Sequence, residues 1–574
     1  MKYKLIGKNN YFDVLETVLN NRGITDVKRY LKASNNKDEE HHYSLLKNID
    51  KAVDCIVNHI EKDSKIFIQI DSDFDGQVSA AMTYLYLKQL KPNLVINWRN
   101  QTGKQHGIKS EYVSDGVGLV IVPDAGSNDT YEHRKLKERG IDVVVIDHHE
   151  IEKESEYAIV VNNQDGQYPN RHLSGSGVVY KTLQALDDKL RVDFAEEYLD
   201  LTALGLISDM MSMIDYENRY YVHQGLSNIN NLFFKELFKE QEYSIKGIIS
   251  PTNVSFFIAP LVNATIRAGS KEEKDQMFRA IIDDGTSEVF YERKKENESL
   301  IKNTIRMMKR VRQQQNKEVD ASVEVIREKI EEKNLLDNKI LIVDVGDSLD
   351  KNYTGLVANR LLNSNDVKRP VMLLRYNQQH DSMSGSARGY SKGHIKDFKQ
   401  FIEDSGYFSF QAGHSNAFGC STSLDKLIEF NEYVNEKYKD VDFGSSEYEV
   451  DFIIPSKNLQ SNVIREIDNN KHLWGREVDE PIIAIEKVEV ERRRIGVIGQ
   501  NKNVIKFGYK GIEYIKFGAD KSEVDALTSG SPMDMLTFNV IGKCSINEFR
   551  GNKTPQIIIE DYEIVETKER KLIF

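Results

Sequence analysis

The sequence predicts an α/β protein with a parallel sheet in its first half, a long connecting helix, a second α/β unit and a C-terminal β-barrel-like domain. Short apolar runs alternate with helix-like stretches between Lys65 and about residue 270. A strongly charged stretch with sparse apolar positions follows, and β-branched residues alternate with polar ones after about residue 440. Strand–helix alternation is typical of a parallel sheet covered by helices, whereas β-branched alternation between Gly and Asn turns indicates a small barrel. At roughly 100–200 residues per domain, the chain has room for about three or four domains.

The first half of the chain contains two predicted segments. Residues 1–60 are polar and helix-like, with a glycine break in NNRGI. Residues 61–270 carry the strand candidates IFIQI, GLVIVP, IDVVVID and YAIVVNN, separated or followed by helix-like stretches such as GQVSAAMTYLYLKQL, SGVVYKTLQALDDKL and AEEYLDLTALGLISDMM. We therefore expect one parallel-sheet domain over 61–270.

The second half is predicted to contain three segments. Residues 271–335 form a long, partly exposed connecting helix, because their mixed charges are typical of a solvated helix face. Residues 336–435 form a second α/β unit, with strands at KILIVDVG and RPVMLLRY around the helix NYTGLVANRLL. Residues 436–574 form the barrel-like domain.

Composition limits the class of protein. The chain has 574 residues, 40% of them hydrophobic and 29% charged, as in ordinary core-forming proteins. No apolar run approaches the roughly 18 residues of a membrane span, and the N-terminus lacks the apolar core of a signal peptide. Three widely spaced cysteines predict a reducing cytoplasm, and the net charge of −12 argues against a general basic coat for nucleic acid.

Aspartates and histidines gather where predicted strands or helices end. They are Asp71, Asp73 and Asp75 after IFIQI, Asp124 after VIVP, Asp147, His148 and His149 at the end of VVVI, and Asp209 within ALGLISDMM. In an open parallel sheet, functional residues lie at the carboxyl ends of the strands. Carboxylates with imidazoles and no thiolate suit Mn²⁺ or Mg²⁺. Two such cations would relieve the crowding of negative charge and could act on a phosphodiester.

Each of these residues also has a purely structural interpretation. An aspartate at a strand end is commonly a turn or helix-cap residue, and a single histidine is more often a core or surface residue than a ligand. A calcium loop is excluded because Met82 stands where D-x-D-x-D-G needs a bidentate glutamate. The conjunction of four acidic sites and a histidine pair within one α/β segment favours the metal site.

The motifs DSDFDG, PDAG, DHHE and LGLISDMM, in this order, resemble those of the DHH phosphoesterase superfamily. Over most of its length the chain is similar to the RecJ single-stranded-DNA exonucleases within that superfamily. The similarity extends to NNRGI, YPNRHLSGSGVVYKTL, LDLTALGLISDMMSMIDYENR and APLVNATIR, and to GSARG and GHSNAFG in the second, DHH-associated α/β unit. The β-rich segment lies where that family carries an OB-fold, a small barrel that binds single strands.

The resemblance implies roles for individual residues. It implies two-metal ligands at Asp73, Asp75, Asp124, His148 and Asp209, with Asp124 as the bridge and Asp71 as a further ligand or its close support. Asp147 would orient His148, and His149 would contact the scissile phosphate. Phosphate contacts in the second α/β unit are implied for Ser386, Arg388, Gly413 and His414, and weaker contacts to the DNA backbone for Arg99 and Arg267.

The chain departs from the family pattern at several positions. Ala412 replaces a glycine, Phe418 is bulky where the family has a small residue, and HGI at 106–108 replaces an aromatic-containing turn. PLVNATIR lacks an arginine and a glycine that are common there. In the barrel segment, basic residues are interleaved with aromatic ones, which either bind single strands or form core and solvated faces. This set comprises Arg492, Arg493, Arg494, Lys502, Lys506, Lys510, Lys516, Phe507, Tyr509, Tyr514 and Phe517.

The function expected from this resemblance is a 5′→3′ exonuclease on single-stranded DNA in recombination, repair or replication, using two Mn²⁺ ions or Mg²⁺. The alternatives are a DHH phosphodiesterase acting on short oligonucleotides or cyclic dinucleotides and a non-enzymatic scaffold. We expect a cytoplasmic monomer without membrane contact, partnered by single-stranded DNA and by a single-strand binding protein or helicase.

Overall fold

A computed structural model describes residues 1–101, 105–346, 348–364, 366–444, 446–549 and 551–568. The chain divides into two compact units. The first comprises residues 1–23, 316–470 and 480–574, and the second comprises residues 24–315 and 471–479. Among the described residues, no helix combines the length and apolar character needed to cross a bilayer.

The N-terminus belongs to the first unit through strand β1 (Lys2–Leu5) and helix α1 (Val14–Asn21). β1 pairs in parallel with the later strand Glu447–Val450. The Arg22 guanidinium binds both carboxylate oxygens of Asp451, at 2.5 and 3.1 Å. The prediction of a purely helical segment over 1–60 is therefore wrong at its start, where the backbone of KYKL is paired in a sheet with residues far along the chain.

The second unit contains the predicted parallel sheet. Its helices are α2 (Val27–Ala33), α3 (Ile49–Glu61), α4 (Phe74–Leu90), α5 (Thr130–Glu138), α6 (Gly175–Leu190), α7 (Leu199–Ser208), α8 (Tyr216–Ser227), α9 (Leu232–Glu240), α10 (Glu242–Ile245), α11 (Pro251–Asn253), α12 (Ala259–Ala268) and α13 (Lys271–Ile281). Its sheet consists of β2 (Lys65–Ile70), β3 (Ile96–Asn100), β4 (Val117–Pro123), β5 (Asp142–Asp147) and β6 (Ile159–Asn162). A π-helical turn, Val254–Ile258, joins α11 to α12.

The strand order β3-β2-β4-β5-β6, with every pair parallel, confirms the predicted sheet. The chain runs from β2 outward to β3 and returns to β4 on the other side of β2. Such a reversal leaves a crevice at the carboxyl ends of the two strands, where ligands bind in open α/β sheets. β2 and β4 flank this crevice, and the predicted site residues Asp71 and Asp124 directly follow them.

The predicted single helix over 271–335 is wrong in its first part. A capping box between Ser270 and Glu273 starts α13 as a separate helix. A turn at Gly285, with φ of +87°, leads into a hairpin of β7 (Glu288–Tyr291) and β8 (Glu296–Ser299). Only then does the 33-residue helix α14 (Leu300–Glu332) begin. Local capping and turn residues interrupt the charged stretch, which composition by itself did not reveal.

The second α/β segment, predicted over residues 336–435, lies within the first of the two compact units. Its elements are β9 (Leu341–Asp344), α15 (Thr354–Leu362), β10 (Val371–Asn377), β11 (Ser382–Arg388), α16 (Phe398–Ser405), β12 (Phe410–His414), β13 (Ala417–Thr422) and α17 (Leu424–Lys437). The sheet order is β12-β13-β11-β10-β9, in which β9 and β10 are parallel and the other pairs antiparallel. Helices α16 and α17 pack on it through a core that includes Phe398, Phe418 and Phe430.

The C-terminal elements begin with β14 (Glu447–Val450), the partner of β1. They continue with β15 (Phe452–Pro455), α18 (Ser461–Asn469), β16 (Ile482–Glu491), β17 (Gly496–Ile498), β18 (Val504–Tyr509), β19 (Ile512–Phe517), α19 (Lys521–Thr528), β20 (Met535–Phe549) and β21 (Asn552–Lys568). A seven-stranded sheet has the order β15-β16-β20-β21-β19-β18-β17. The β-rich character is confirmed, but α18 and α19 correct the expectation of an all-β segment.

Candidate metal centre

Three strand ends deliver carboxylates to the crevice between β2 and β4. Asp71 follows β2, Asp124 follows β4, and Asp147 is the last residue of β5. Asp73 is the N-cap of α4, and its Oδ1 accepts a hydrogen bond from the Gly76 amide at 2.9 Å. Asp75 lies in the first turn of the same helix. The three charges of DSDFDG are therefore distributed over a strand end, a helix cap and a helix turn.

Three groups of side chains bring possible metal-ligating atoms within 4.8 Å of one another. They are Asp71, Asp73 and Asp124; Asp75, His148 and Asp209; and Asp124, Asp147, His148 and His149. Asp124 and His148 each belong to two of the groups. All the ligands suggested by the sequence lie in these groups, which share Asp124 and His148 and together form one carboxylate cluster.

Asp124 lies at the centre of the cluster and is 1% exposed. His148 Nε2 lies 3.2 Å from Asp124 Oδ1 and 3.5 Å from Asp209 Oδ2, but Asp124 Oδ1 has no partner with hydrogen-bond geometry in the described part of the chain. A Cβ atom at Gly175 would come within 2.1 Å of the same oxygen, so only glycine leaves room for the carboxylate. A buried carboxylate oxygen without a hydrogen-bond partner is a suitable ligand atom for a cation.

The carboxylates of the cluster repel one another. Burial, together with the neighbouring charges of Asp75 and Asp73, raises the pKa of Asp124 well above its usual range. Burial also raises the pKa of Asp71 and Asp75, and it raises that of Asp209 to about 8. Among the described residues, no lysine or arginine forms an ion pair with these carboxylates. Since no lysine or arginine is paired with this concentration of negative charge, the cluster fits divalent cations with oxygen and imidazole ligands.

Two serines and a glycine that the sequence did not single out position Asp75. Its Oδ1 accepts hydrogen bonds from Ser174 Oγ at 3.1 Å and from the Ser176 amide at 3.2 Å. A Cβ atom at Gly205 would lie 2.0 Å from the same oxygen. The alternation of serine and glycine in LSGSG was the available signal, because small residues permit a close approach of backbone to a carboxylate.

Asp147 has a different partner from the one expected. Its Oδ1 accepts a hydrogen bond from the His149 ring at Nδ1, 2.8 Å away, and from the His148 amide at 2.7 Å. Asp147 therefore orients the ring of His149 and contacts His148 only through the backbone. Burial would raise the pKa of Asp147, but the hydrogen bond from His149 lowers it below its usual range, and the same bond raises the pKa of His149 to about 9.

A further histidine, His106, was not singled out as a site residue. Its Nδ1 lies 2.6 Å from Asp71 Oδ2, and the Gly107 amide donates to Asp71 Oδ1 at 3.3 Å. The only sequence signal was the departure from the family pattern at HGI. The structure thus adds a loop that holds the aspartate whose role the sequence left open.

The two arginine candidates, Arg99 and Arg267, both belong to the second unit. Arg99 is on β3, directly opposite Gln69 of β2, and its guanidinium lies 3.7 Å above the ring of Tyr112. Arg267 is in the last turn of α12, with an exposed side chain that interacts electrostatically with Asp73. Their contacts to DNA remain predictions.

The remaining predicted residues lie in the first unit. Ser386 and Arg388 are on β11; Ser386 Oγ lies 2.7 Å from Thr354 Oγ1, and a Cβ atom at Gly355 would lie 2.3 Å from an Arg388 Nη atom. The start of α15 therefore lies beside both residues, which the sequence did not indicate. Gly413 has φ of +129°, and a Cβ there would meet the Ala417 carbonyl at 2.7 Å. His414 follows it at the exposed end of β12.

Phe418, one of the departures from the family pattern, is explained by packing. Its side chain is 3% exposed, and its ring lies 5.6 Å from that of Phe398. The bulky residue therefore fills the core of the second α/β segment. Ala412 is exposed on the neighbouring edge strand.

The C-terminal sheet separates the basic and aromatic residues into two sets. Phe507 and Tyr514 are buried and stack on each other at 5.1 Å, and Arg492 donates to the carbonyls of Ala526 and Leu527. These three are structural, which decides between the two interpretations that the sequence left open for them. Exposed members remain on the surface, among them Arg493, Arg494 and Phe517.

Comparisons with known proteins agree with this geometry. Residues 65–206 match the model of the DHH family, N-terminal domain, and residues 450–561 match that of the RecJ OB domain. The chain is 44% identical, over the full length of both proteins, to a Bacillus subtilis protein with the provisional name SPbeta prophage-derived single-strand DNA-specific exonuclease YorK. It is 26% identical to the single-stranded-DNA-specific exonuclease RecJ of B. subtilis, over 91% of this chain and 64% of that protein.

Among solved structures, the chain is similar to RecJ in complex with Mn²⁺ from Thermus thermophilus. The two align with a TM-score of 0.72 and 18% identity, over 98% of this chain and 80% of the other. The corresponding Mg²⁺ complex aligns with a TM-score of 0.64. At this level of identity the similarity establishes a shared fold.

Proposed function

Because the chain belongs to the family of RecJ-like single-strand DNA-specific exonucleases of the DHH superfamily, we propose that it hydrolyses single-stranded DNA in a metal-dependent reaction. The proposal includes the direction, with nucleotides removed from a 5′ end, and a role in recombination, repair or replication. The observation that carries the metal-dependent hydrolysis is the buried carboxylate cluster around Asp124, whose Oδ1 lacks a hydrogen-bond partner in the described chain.

The residues proposed to hold the cations are Asp73, Asp75, Asp124, His148 and Asp209, with Asp71 as a further ligand or its support. Two divalent cations at such a site supply Lewis-acid activation of water and neutralise charge on the phosphodiester. We propose Mn²⁺, with Mg²⁺ as a substitute. The RecJ structures from T. thermophilus, which contain one or the other of these ions, support this choice.

His149 is proposed to contact the scissile phosphate. Its Nδ1 is engaged by Asp147, and its side chain is 53% exposed, so Nε2 can reach a substrate. The hydrogen bond to Asp147 raises the pKa of His149 to about 9, which keeps the ring positively charged at neutral pH. A fixed positive charge beside the phosphate stabilises negative charge that develops during hydrolysis. Asp147 then acts by orienting this ring.

The first unit is proposed to recognise the end of the strand. Ser386 and Arg388 would bind the 5′-terminal phosphate, for which the planar guanidinium is well suited. Gly413 and His414 would contact a phosphate, and Arg99 and Arg267 of the second unit would contact the DNA backbone. We further propose that the enzyme is a cytoplasmic monomer and that a single-strand binding protein or a helicase delivers its strand.

The test compares two long single strands, one labelled at the 5′ end and one at the 3′ end, in the presence of Mn²⁺. We expect immediate release of the 5′ label as a mononucleotide and a progressively shortened ladder from the 3′-labelled strand. Asp124→Asn is the inactive control, and a matched duplex should persist. Rapid cleavage of a dinucleotide beside an untouched long strand would instead identify the short-oligonucleotide phosphodiesterase.

A further inference from the structure

Two aspartate–histidine pairs border the carboxylate cluster, and the proposed function uses only one of them. In the first pair His149 Nδ1 lies 2.8 Å from Asp147, and in the second His106 Nδ1 lies 2.6 Å from Asp71. Both aspartates are at most 2% exposed, whereas the histidine side chains are 53% and 59% exposed. The second pair thus has the geometry of the first without an assigned role.

Backbone hydrogen bonds hold the two residues that follow His106 in place. The Gly107 amide donates to Asp71 Oδ1 at 3.3 Å, and the Ile108 amide donates to Asp129 Oδ2 at 2.7 Å. Gly107 has φ of +74°, and a Cβ there would lie 1.8 Å from Asp129 Oδ2. Because the turn fits only glycine and is anchored to Asp129, His106 is held against Asp71 by the backbone as well as by its own hydrogen bond.

These contacts engage both oxygens of Asp71. Asp71 is grouped with Asp73 and Asp124, two other carboxylates of the cluster, whereas His106 belongs to none of the groups of possible ligands. His106 therefore lies one shell outside the metal centre and touches it through Asp71. Partners of this kind orient a carboxylate, and their loss typically lowers metal affinity about 10- to 100-fold.

We propose that His106 is a positioning residue of the metal centre, which fixes the Asp71 carboxylate through Nδ1 so that the cluster is preorganised for its cations. This inference rests on the proposed function, since it takes the cluster to be the metal centre of that enzyme. It gives a structural role to HGI, the turn at which the chain departs from its family. It also identifies His106 Nδ1 as the atom that orients the Asp71 carboxylate.

The role of His106 Nδ1 can be tested by replacing the histidine with an amide side chain. Asparagine places its NH₂ group near the position of Nδ1, and glutamine places its NH₂ group near the position of Nε2. The measurement is Mn²⁺ affinity by isothermal titration calorimetry on the full chain, beside kcat and KM on a single strand. We expect His106→Ala to weaken Mn²⁺ binding at least tenfold, by the typical effect of losing such a partner. His106→Asn should recover most of the loss, and His106→Gln should resemble His106→Ala.

Two further variants keep the test decisive. Gly107→Ala should reproduce the loss of Mn²⁺ affinity while His106 is present, because it displaces the loop from Asp129. His42→Ala is the matched control, since this exposed histidine contacts Ser44 through Nδ1, with Oγ at 2.7 Å, and takes no part in the carboxylate cluster. It should leave Mn²⁺ affinity and activity unchanged.

Three outcomes would overturn the proposal. They are unchanged Mn²⁺ affinity in His106→Ala, rescue by glutamine but not asparagine, and a loss confined to KM for the strand. The last two would assign His106 to a substrate contact through Nε2. A wild-type protein that binds Mn²⁺ but leaves single strands intact would refute the proposed function and not this inference, because the calorimetry needs no turnover.

Discussion

Gly175 provides the most direct test of the metal centre, because a single methyl group would intrude on Asp124. Gly175 is the first residue of α6, and a Cβ there would lie 2.1 Å from Asp124 Oδ1 and 2.5 Å from its Cγ. Asp124 cannot easily withdraw, since its own amide donates to the Ile146 carbonyl at 2.7 Å and its side chain is buried. Gly175→Ala should therefore displace the carboxylate or the start of α6.

The size of the effect follows from this overlap. To reach a separation of 3.0 Å, below which real Cβ contacts are essentially absent, one partner must move by about 1 Å. Overpacking of a core typically costs about 1–3 kcal/mol, and replacing glycine by alanine in a helix returns up to about 1 kcal/mol. We expect a net loss of about 0–3 kcal/mol in the free energy of unfolding, which is the difference of these two terms. A misplacement of about 1 Å in an active site costs about 100-fold in rate, so activity should fall far more than stability.

The assay is Mn²⁺ binding by calorimetry together with kcat on a single strand and thermal unfolding in EDTA. Gly225→Ala is the matched control, because a Cβ at Gly225 in α8 would lie 2.1 Å from the Leu199 carbonyl, and its three nearest atoms include none of a carboxylate. It should lower stability and leave Mn²⁺ affinity intact. If Gly175→Ala bound Mn²⁺ and cleaved DNA like the wild type, the assignment of Asp124 to the metal centre would be refuted.

Three further predictions concern charge. Asp124→Asn should reduce kcat by more than about 1,000-fold while raising the unfolding temperature in EDTA, because it removes one of the mutually repelling carboxylates; a lower unfolding temperature would contradict this. The folded-state pKa of Asp209 is raised from 3.8 to about 8, so its contribution to stability is present below pH 3.8 and is lost as the pH rises towards 8. In EDTA, the thermal unfolding temperature should fall as the pH rises from about 4 to about 8, and it should fall less steeply in Asp209→Asn. The same pH dependence of the unfolding temperature in both proteins would exclude Asp209 as its source. Arg22→Ala leaves the charge of the buried Asp451 carboxylate unpaired and should cost about 3–5 kcal/mol in urea unfolding. Lys4→Ala, which removes exposed ion pairs with Glu447 and Glu449, should leave the urea midpoint close to that of the wild type, and equal losses in the two variants would show that the buried pair has no special weight.

In the sheet of the second unit, the half-buried edge strand β3 was not predicted, but the central strands β2, β4 and β5 were predictable because they are buried on both faces. Such strands appear in the sequence as continuous apolar runs, so IFIQI, VIVP and VVVI could be located without knowing which strands they pair with. The acidic residues follow these runs directly, so the carboxyl ends of the strands, and with them the cluster of Asp71, Asp124 and Asp147, could be inferred. The helix cap at Ser270 and the turn at Gly285 were missed, because the prediction of one helix over 271–335 was based on the charged composition of the stretch and not on its local capping and turn residues.

The sequence by itself determined which residue types gather in the carboxylate cluster, since they directly follow apolar strands whose carboxyl ends meet at one edge of a parallel sheet. Only the tertiary structure decided how each one is held. Ser174 lies 99 positions from Asp75 and His106 lies 35 positions from Asp71, and Asp147 pairs with the ring of His149 and not with that of His148. The burial of Phe507 was likewise decided by packing. Periodicity defines faces and strand ends, which are local, whereas hydrogen-bond partners and the buried face depend on which distant segments the folded chain brings together.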